Sequence, residues 1–176
     1  MNVPNSLTLL RIFLVPVFVV VLVLNIPHGD LLAAIIFVAA ALTDSLDGYL
    51  ARKYKQITKL GIILDPIADK LLITAALICL VELGRLPGWI AIVILGREFA
   101  VSGLRSVKAE EGIIIPASKL GKFKTISQIT AVIIIILENL IPPLHIVGIC
   151  AIYIALAITV ISGIDYFLKF SLSEKE

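Results

Sequence analysis

Four aspartates fall within 26 residues of this chain: Asp44, Asp47, Asp65 and Asp69. They stand in apolar surroundings, where a carboxylate is expensive and points to function. Asp44 and Asp47 are three residues apart, and Asp65 and Asp69 are four apart. On a helix, either spacing puts both side chains on one face. The run between the pairs is short, so the two helices are expected to be antiparallel neighbours whose four carboxylates converge on one small volume. Four anions so placed repel one another strongly at low dielectric. Arg52 and Lys70 could neutralise part of that charge, and one or two divalent cations would do so better. An all-oxygen donor set favours Mg²⁺, Mn²⁺ or Ca²⁺ over zinc, and no Cys or His is close in sequence. The alternative, ion pairs that merely hold helices together, is weakened because the acids outnumber the bases near them.

Small residues flank the acids. Gly48 follows Asp47, Gly61 precedes Asp65 by four positions, and Ala51 lies one turn after Asp47. Glycine is unfavourable inside a helix unless something must approach the backbone closely. These positions predict a cleft beside the metal with room for a nucleotide or phosphate, and Arg52 could reach a phosphate there.

The elements that must position these residues follow from composition. The chain has 176 residues, 60% of them hydrophobic and 16% charged, with a mean hydropathy of +1.09. Soluble domains are about 45–50% apolar and about 25% charged, so the membrane class comes first. A spanning helix needs about 20 mostly apolar residues. Six segments qualify, at roughly 8–26, 31–52, 60–83, 88–107, 120–140 and 145–168. They make one all-α integral membrane domain over residues 1–176. Pro16 is expected to kink the first helix. Before it, Pro4, Asn5 and Thr8 suggest a short amphipathic lead-in with a helix start near Asn5 or Ser6. No cleavable signal peptide is evident, and the first helix reads as retained.

With the amino terminus in the cytosol, twelve Lys and Arg fall at inner ends and loops and one, Arg85, falls outside. The positive-inside rule then places both termini, and the aspartates, on the cytosolic side. The net charge of +2 carries no electrostatic footprint of a nucleic-acid partner. Cys79 and Cys150 are far apart in apolar runs and read as unpaired small residues. Trp89 and Tyr166 read as interface anchors, and Thr125 and Ser127 as polar groups for helix packing.

Residues 44–52 read D-S-L-D-G-Y-L-A-R and, after eight more residues, 61–69 read G-I-I-L-D-P-I-A-D. This resembles the signature of the CDP-alcohol phosphotransferase family, D-x-x-D-G-x-x-A-R, eight residues, G-x-x-x-D-x-x-x-D, at every fixed position. The family's six-helix membrane core also matches the hydropathy over nearly the whole chain. The resemblance implies that Asp44, Asp47 and Asp65 hold Mg²⁺ or Mn²⁺, with Asp69 close enough to contribute. It implies that Asp69 is the general base on an acceptor hydroxyl, and that Gly48, Ala51 and Arg52, with Gly61, receive the cytidine diphosphate group. Asn5, Thr8 and Arg11 could contact the nucleotide or lipid headgroup, or simply cap and anchor the helix. It further implies a plasma (inner) membrane location with the site facing the cytosol, and a homodimer.

The segments R-E-F-A-V-S-G-L-R-S at 97–106, P-A-S-K-L-G-K-F-K-T at 116–125 and S-G-I-D-Y-F at 162–167 resemble the bacterial branch of that family. That branch joins CDP-diacylglycerol to sn-glycerol 3-phosphate in phospholipid biosynthesis. The local chemistry fits a phosphorylated acceptor. Arg97 and Arg105, eight residues apart, share a helix face, and Lys119, Lys122 and Lys124 stand at the inner start of helix five. A doubly charged phosphate needs such a basic pocket. Glu98 reads as an orienting partner of Arg97. Other acceptors, such as inositol phosphate, serine or phosphatidylglycerol, would share the same aspartates. A cation transporter would instead spread its acids along a path across the membrane, and here they gather at one end.

Overall fold

The computed structural model describes residues 3–24, 26–54, 59–110 and 119–173; the side chains of 3–5, 44–54, 59–63, 65–66, 119 and 169–173 lie outside that description. Six helices follow one another: α1 (Val3–Val23), α2 (Gly29–Tyr54), α3 (Lys59–Glu82), α4 (Gly88–Glu110), α5 (Lys119–Leu137) and α6 (Leu144–Ser173). No strand occurs among the described residues. In an apolar medium a helix satisfies its own backbone polar groups, which is why apolar runs of this length fold so. Among the described residues, Ser6–Val23, Leu120–Leu137 and Leu144–Leu168 are long and apolar enough to cross a membrane. Large apolar side chains face outward, with Phe13, Ile92 and Ile146 each more than 70% exposed. This is a membrane protein's surface rather than a soluble one's.

The boundaries differ from expectation chiefly at the chain's start. α1 is continuous from Val3 and passes through Pro16, so the helix starts before Asn5 and residues 4–8 are part of it rather than a separate entry segment. Pro4 sits in the first turn, where a missing N–H leaves nothing unsatisfied. Two turns close as their chemistry requires. His28 adopts φ 59° and Gly84 φ 69°. At Gly84 the Arg85 amide donates to the Leu80 carbonyl at 2.9 Å and the Gly84 amide to Val81 at 3.0 Å, the paired bonds of a left-handed helix cap.

α1 packs against both α2 and α3, α5 pairs with α6, α4 lies on α6 and α3, and α2 meets α5. Alanines mark these contacts: Ala33, Ala40, Ala76, Ala131 and Ala155 are wholly buried. Lipid tails are as apolar as the side chains, so close van der Waals fit holds such helices together, and small residues allow it. Phe18 and Phe37 meet at the centre with ring centroids 5.5 Å apart. Around them Leu22, Leu77, Leu80, Ile90, Ile94, Val132 and Ile136 fill one half of the bundle. That half also carries a polar clasp. Arg85 bonds Asp30 at 3.0 Å and the Ile136 carbonyl at 3.2 Å, while Asn139 donates to Asp30 at 3.1 Å. Trp89 is half exposed and tilts against Tyr153, as an interface anchor does. Cys79 and Cys150 are both free thiols.

Candidate active site

The opposite half of the bundle holds the buried charges Arg11, Glu98 and Lys124. Asp69, about three turns into α3 and with a described side chain, is half exposed, and its Oδ1 accepts from Nη1 of Arg11 at 2.8 Å. Arg11 is completely buried, and its Nε donates to the Ala40 carbonyl of α2 at 3.3 Å. One guanidinium therefore ties α1 to α2 and α3. A rigid fork of donors suits this, whereas an ammonium would offer a single point of charge.

Across from Asp69, α4, α5 and α6 build a second polar wall. Glu98 is its centre. The Lys124 ammonium pairs with Glu98 Oε1, Arg97 Nη1 lies 3.6 Å from the same oxygen, and Gln128 Nε2 approaches it at 3.4 Å. Gln128 also donates to Thr159 at 2.9 Å, and Thr159 in turn donates to the Ala155 carbonyl at 2.6 Å. Arg97 Nη2 donates to Ser162 Oγ at 2.7 Å. Its aliphatic stem lies over Gly163, where an added Cβ would come within 3.0 Å of Arg97 Cγ. Two cations around one carboxylate leave a net positive charge in a buried place. Such a cluster holds together only with close pairing and full hydrogen bonding.

Both walls face one cavity of about 1030 Å³. It is lined by Arg11, Asp69 and Lys70 on one side and by Arg97, Glu98, Arg105, Lys122, Lys124 and Tyr166 on the other. Phe37, Leu72 and Ile129 also line it and belong to, or pack on, the apolar half. The volume is that of a pocket for a large ligand rather than an ion.

The profile of the CDP-alcohol phosphatidyltransferase family matches residues 1–161. The chain belongs to that family. A CDP-diacylglycerol–glycerol-3-phosphate 3-phosphatidyltransferase of Bacillus subtilis is 44% identical to it, over 96% of this chain and 94% of the relative. Proteins of the same name are 42% identical in Rickettsia bellii (94% and 93% covered) and 40% identical in Haemophilus influenzae (94% and 91% covered).

Set against this phosphatidyltransferase family, the positions singled out from sequence fall into three groups. Asp69, Arg97, Arg105, Lys122 and Lys124 come together on the one cavity. Thr8 is buried one turn before Arg11 and is not among the residues lining it. The side chains of Asn5, Asp44, Asp47, Gly48, Ala51, Arg52, Gly61, Asp65 and Lys119 lie outside the described ones. Among the described residues no group of three or more His, Cys, Asp or Glu could hold a metal. Of the four aspartates, only Asp69 has a described side chain.

Two readings are corrected, and a third, Glu98 beside Arg97, is extended. Tyr166 is 7% exposed and lines the cavity, so it is not an interface anchor. Thr125 and Ser127 donate to carbonyls of their own helix, Gly121 and Lys124, and bridge no helices. Gln128 and Thr159 do that instead. Glu98 pairs more closely with Lys124 than with Arg97. What sequence reasoning missed is the partnership of groups on different helices: Arg11 with Asp69, Lys124 with Glu98, and Gln128 with Thr159. The one usable signal was polarity itself, and only for Thr159, which interrupts a long apolar run.

Proposed function

We propose that this chain transfers the phosphatidyl group of CDP-diacylglycerol to sn-glycerol 3-phosphate, giving phosphatidylglycerophosphate and CMP. The observation that carries the reading is the single cavity with Asp69 on one wall and Arg97, Arg105, Lys122 and Lys124 on the other. A base and a phosphate pocket thus share one cavity, and the names of the relatives agree with that pairing. The basic wall receives the acceptor's phosphate. Asp69 takes the proton from its free hydroxyl. The hydroxyl oxygen then bonds to the phosphorus bearing diacylglycerol as that phosphorus releases CMP. Arg11 holds Asp69 in place for this, and Gly48, Ala51, Arg52 and Gly61, with Asn5, receive the cytidine diphosphate group.

Asp44, Asp47 and Asp65, with Asp69, would hold Mg²⁺ or Mn²⁺. The donor set is all oxygen, and the Asp69 carboxylate opens on the cavity, which fits a hard divalent ion. Bound there, the ion would supply charge neutralisation at the pyrophosphate. The single domain spans the plasma membrane six times with both termini and the cavity mouth on the cytosolic side, in keeping with the twelve-to-one distribution of basic residues. It works as a homodimer.

The test is CMP release by the purified protein with CDP-diacylglycerol, Mg²⁺ and a panel of acceptors. Turnover with sn-glycerol 3-phosphate and not with inositol phosphate, serine or phosphatidylglycerol is expected. It should vanish with a chelator and return with Mg²⁺ or Mn²⁺. Asp69→Asn should bind CDP-diacylglycerol yet lose turnover. Release with inositol phosphate alone would overturn the choice of acceptor, and normal turnover of Asp69→Asn would remove it as base.

A further inference from the structure

Two buried hydrogen-bonding atoms in the cavity wall have no partner among the described residues: Nε of Arg97 and the hydroxyl of Tyr166. Buried polar atoms are nearly always paired, so each such exception calls for an explanation. An arginine Nε can only donate, and a phenol can donate or accept. The groups that share the cavity wall with them include the cations of Arg105, Lys122 and Lys124, which offer further donors and no acceptor.

α6 shapes this corner through three residues in five. Ser162 takes the Nη2 proton of Arg97 at 2.7 Å. Gly163 leaves room for the arginine stem, which a Cβ would meet at 3.0 Å. Tyr166, one turn on and 7% exposed, adds the unpartnered hydroxyl. With Nη2 on Ser162 and Nη1 near Glu98, the Nε edge of Arg97 is the one without an oxygen to receive it. The one carboxylate of this corner, Glu98, is engaged by Lys124, Gln128 and Arg97 Nη1, and Nε and the hydroxyl are left without an acceptor of their own.

We infer that Tyr166 is a specificity-determining residue of the acceptor pocket, its hydroxyl and Arg97 Nε together donating to a phosphate oxyanion of the acceptor. The inference rests on the function proposed above and adds to it a neutral donor on α6 that no charge pattern reveals. An oxyanion of the acceptor satisfies both atoms at once, and hydrogen bonds to ionised oxygens are the strong ones.

Tyr166→Phe in the full-length enzyme tests it, because the ring and its packing are kept. The KM for sn-glycerol 3-phosphate should rise about tenfold, the size expected for one hydrogen bond to a charged group. The KM for CDP-diacylglycerol should stay within about twofold, and inorganic phosphate should bind about tenfold more weakly. The Tm without ligand should be unchanged or higher, since the hydroxyl lost has no protein partner. A fall in Tm would show that it has one and would overturn the inference. So would unchanged phosphate binding, which is the outcome if only water meets the hydroxyl, or an equal rise in both KM values. Should the wild-type enzyme release no CMP with sn-glycerol 3-phosphate, the proposed function fails by itself. The comparison of phosphate affinities then decides the role of Tyr166 alone.

Discussion

Nη1 of Arg11 lies 2.8 Å from Oδ1 of Asp69, a bond between helices 58 residues apart in sequence. The cation is wholly buried and the carboxylate is half exposed to the cavity. The same guanidinium reaches the Ala40 carbonyl of α2. Arg11 is therefore the joint through which α1 fixes where the Asp69 carboxylate stands between α2 and α3. Lysine has the charge but not the fork, and it cannot span both partners at once. Arg11→Lys should lower kcat about tenfold, the scale of a misplaced catalytic group, while both KM values move less. Steady-state kinetics over both substrates checks this; a KM effect without a kcat effect would make Arg11 a substrate ligand instead.

Glu98 has a different role, because both it and Lys124 are buried. Removing the carboxylate's charge leaves an ammonium in the bundle without its counter-ion. Glu98→Gln should destabilise the protein by roughly 3 kcal/mol, read as a lower Tm in detergent. Lys124→Met in the same chain should recover part of that stability, because a well-packed apolar residue replaces a stranded charge. The double variant should still bind the acceptor poorly.

Gly163 makes a prediction about space. An added methyl group would meet the Arg97 stem at 3.0 Å, closer than that stem can accept without moving. Gly163→Ala should raise the KM for sn-glycerol 3-phosphate roughly three- to tenfold through a displaced arginine. The KM for CDP-diacylglycerol should be unchanged. An equal effect on both substrates would mean that the whole helix shifts.

The clasp at the far end serves as a control. Asp30 and Arg85 join α2 to the connection between α3 and α4, with Asn139 at the end of α5 as a third member. The pair is only partly shielded, so Asp30→Asn should cost about 1–2 kcal/mol and lower Tm by a few degrees. kcat and both KM values should not change. A kinetic effect would show that the two halves of the bundle communicate.

The six helices were legible because apolar runs of membrane length are broken by Gly, Pro and charge, and the breaks at Pro27, at Gly84 and at Pro142-Pro143 fall at described turns. Gly84, for instance, closes α3 in the left-handed conformation its lack of a Cβ permits. Asp69, Arg97, Arg105, Lys122 and Lys124 were legible as charges in places where charge is expensive, and they share one cavity. Their pairing was not. Helical periodicity relates residues three or four apart, and it says nothing about which face of α1 meets α3. Arg11 thus read as a headgroup contact or a flanking anchor, not as the partner of Asp69. Tyr166 failed for a related reason: an aromatic residue near a helix end looks the same whether it faces lipid or turns inward to a pocket.

The Phe18–Phe37 contact has one more consequence. Phe37 lines the polar cavity, and it also belongs to the close-packed apolar core, mostly Leu, Ile, Val and Ala, that fills the other half of the bundle. A headgroup bearing two phosphates has no route through that core. A lipid product made in this cavity would leave on the side of the bundle by which its substrate entered.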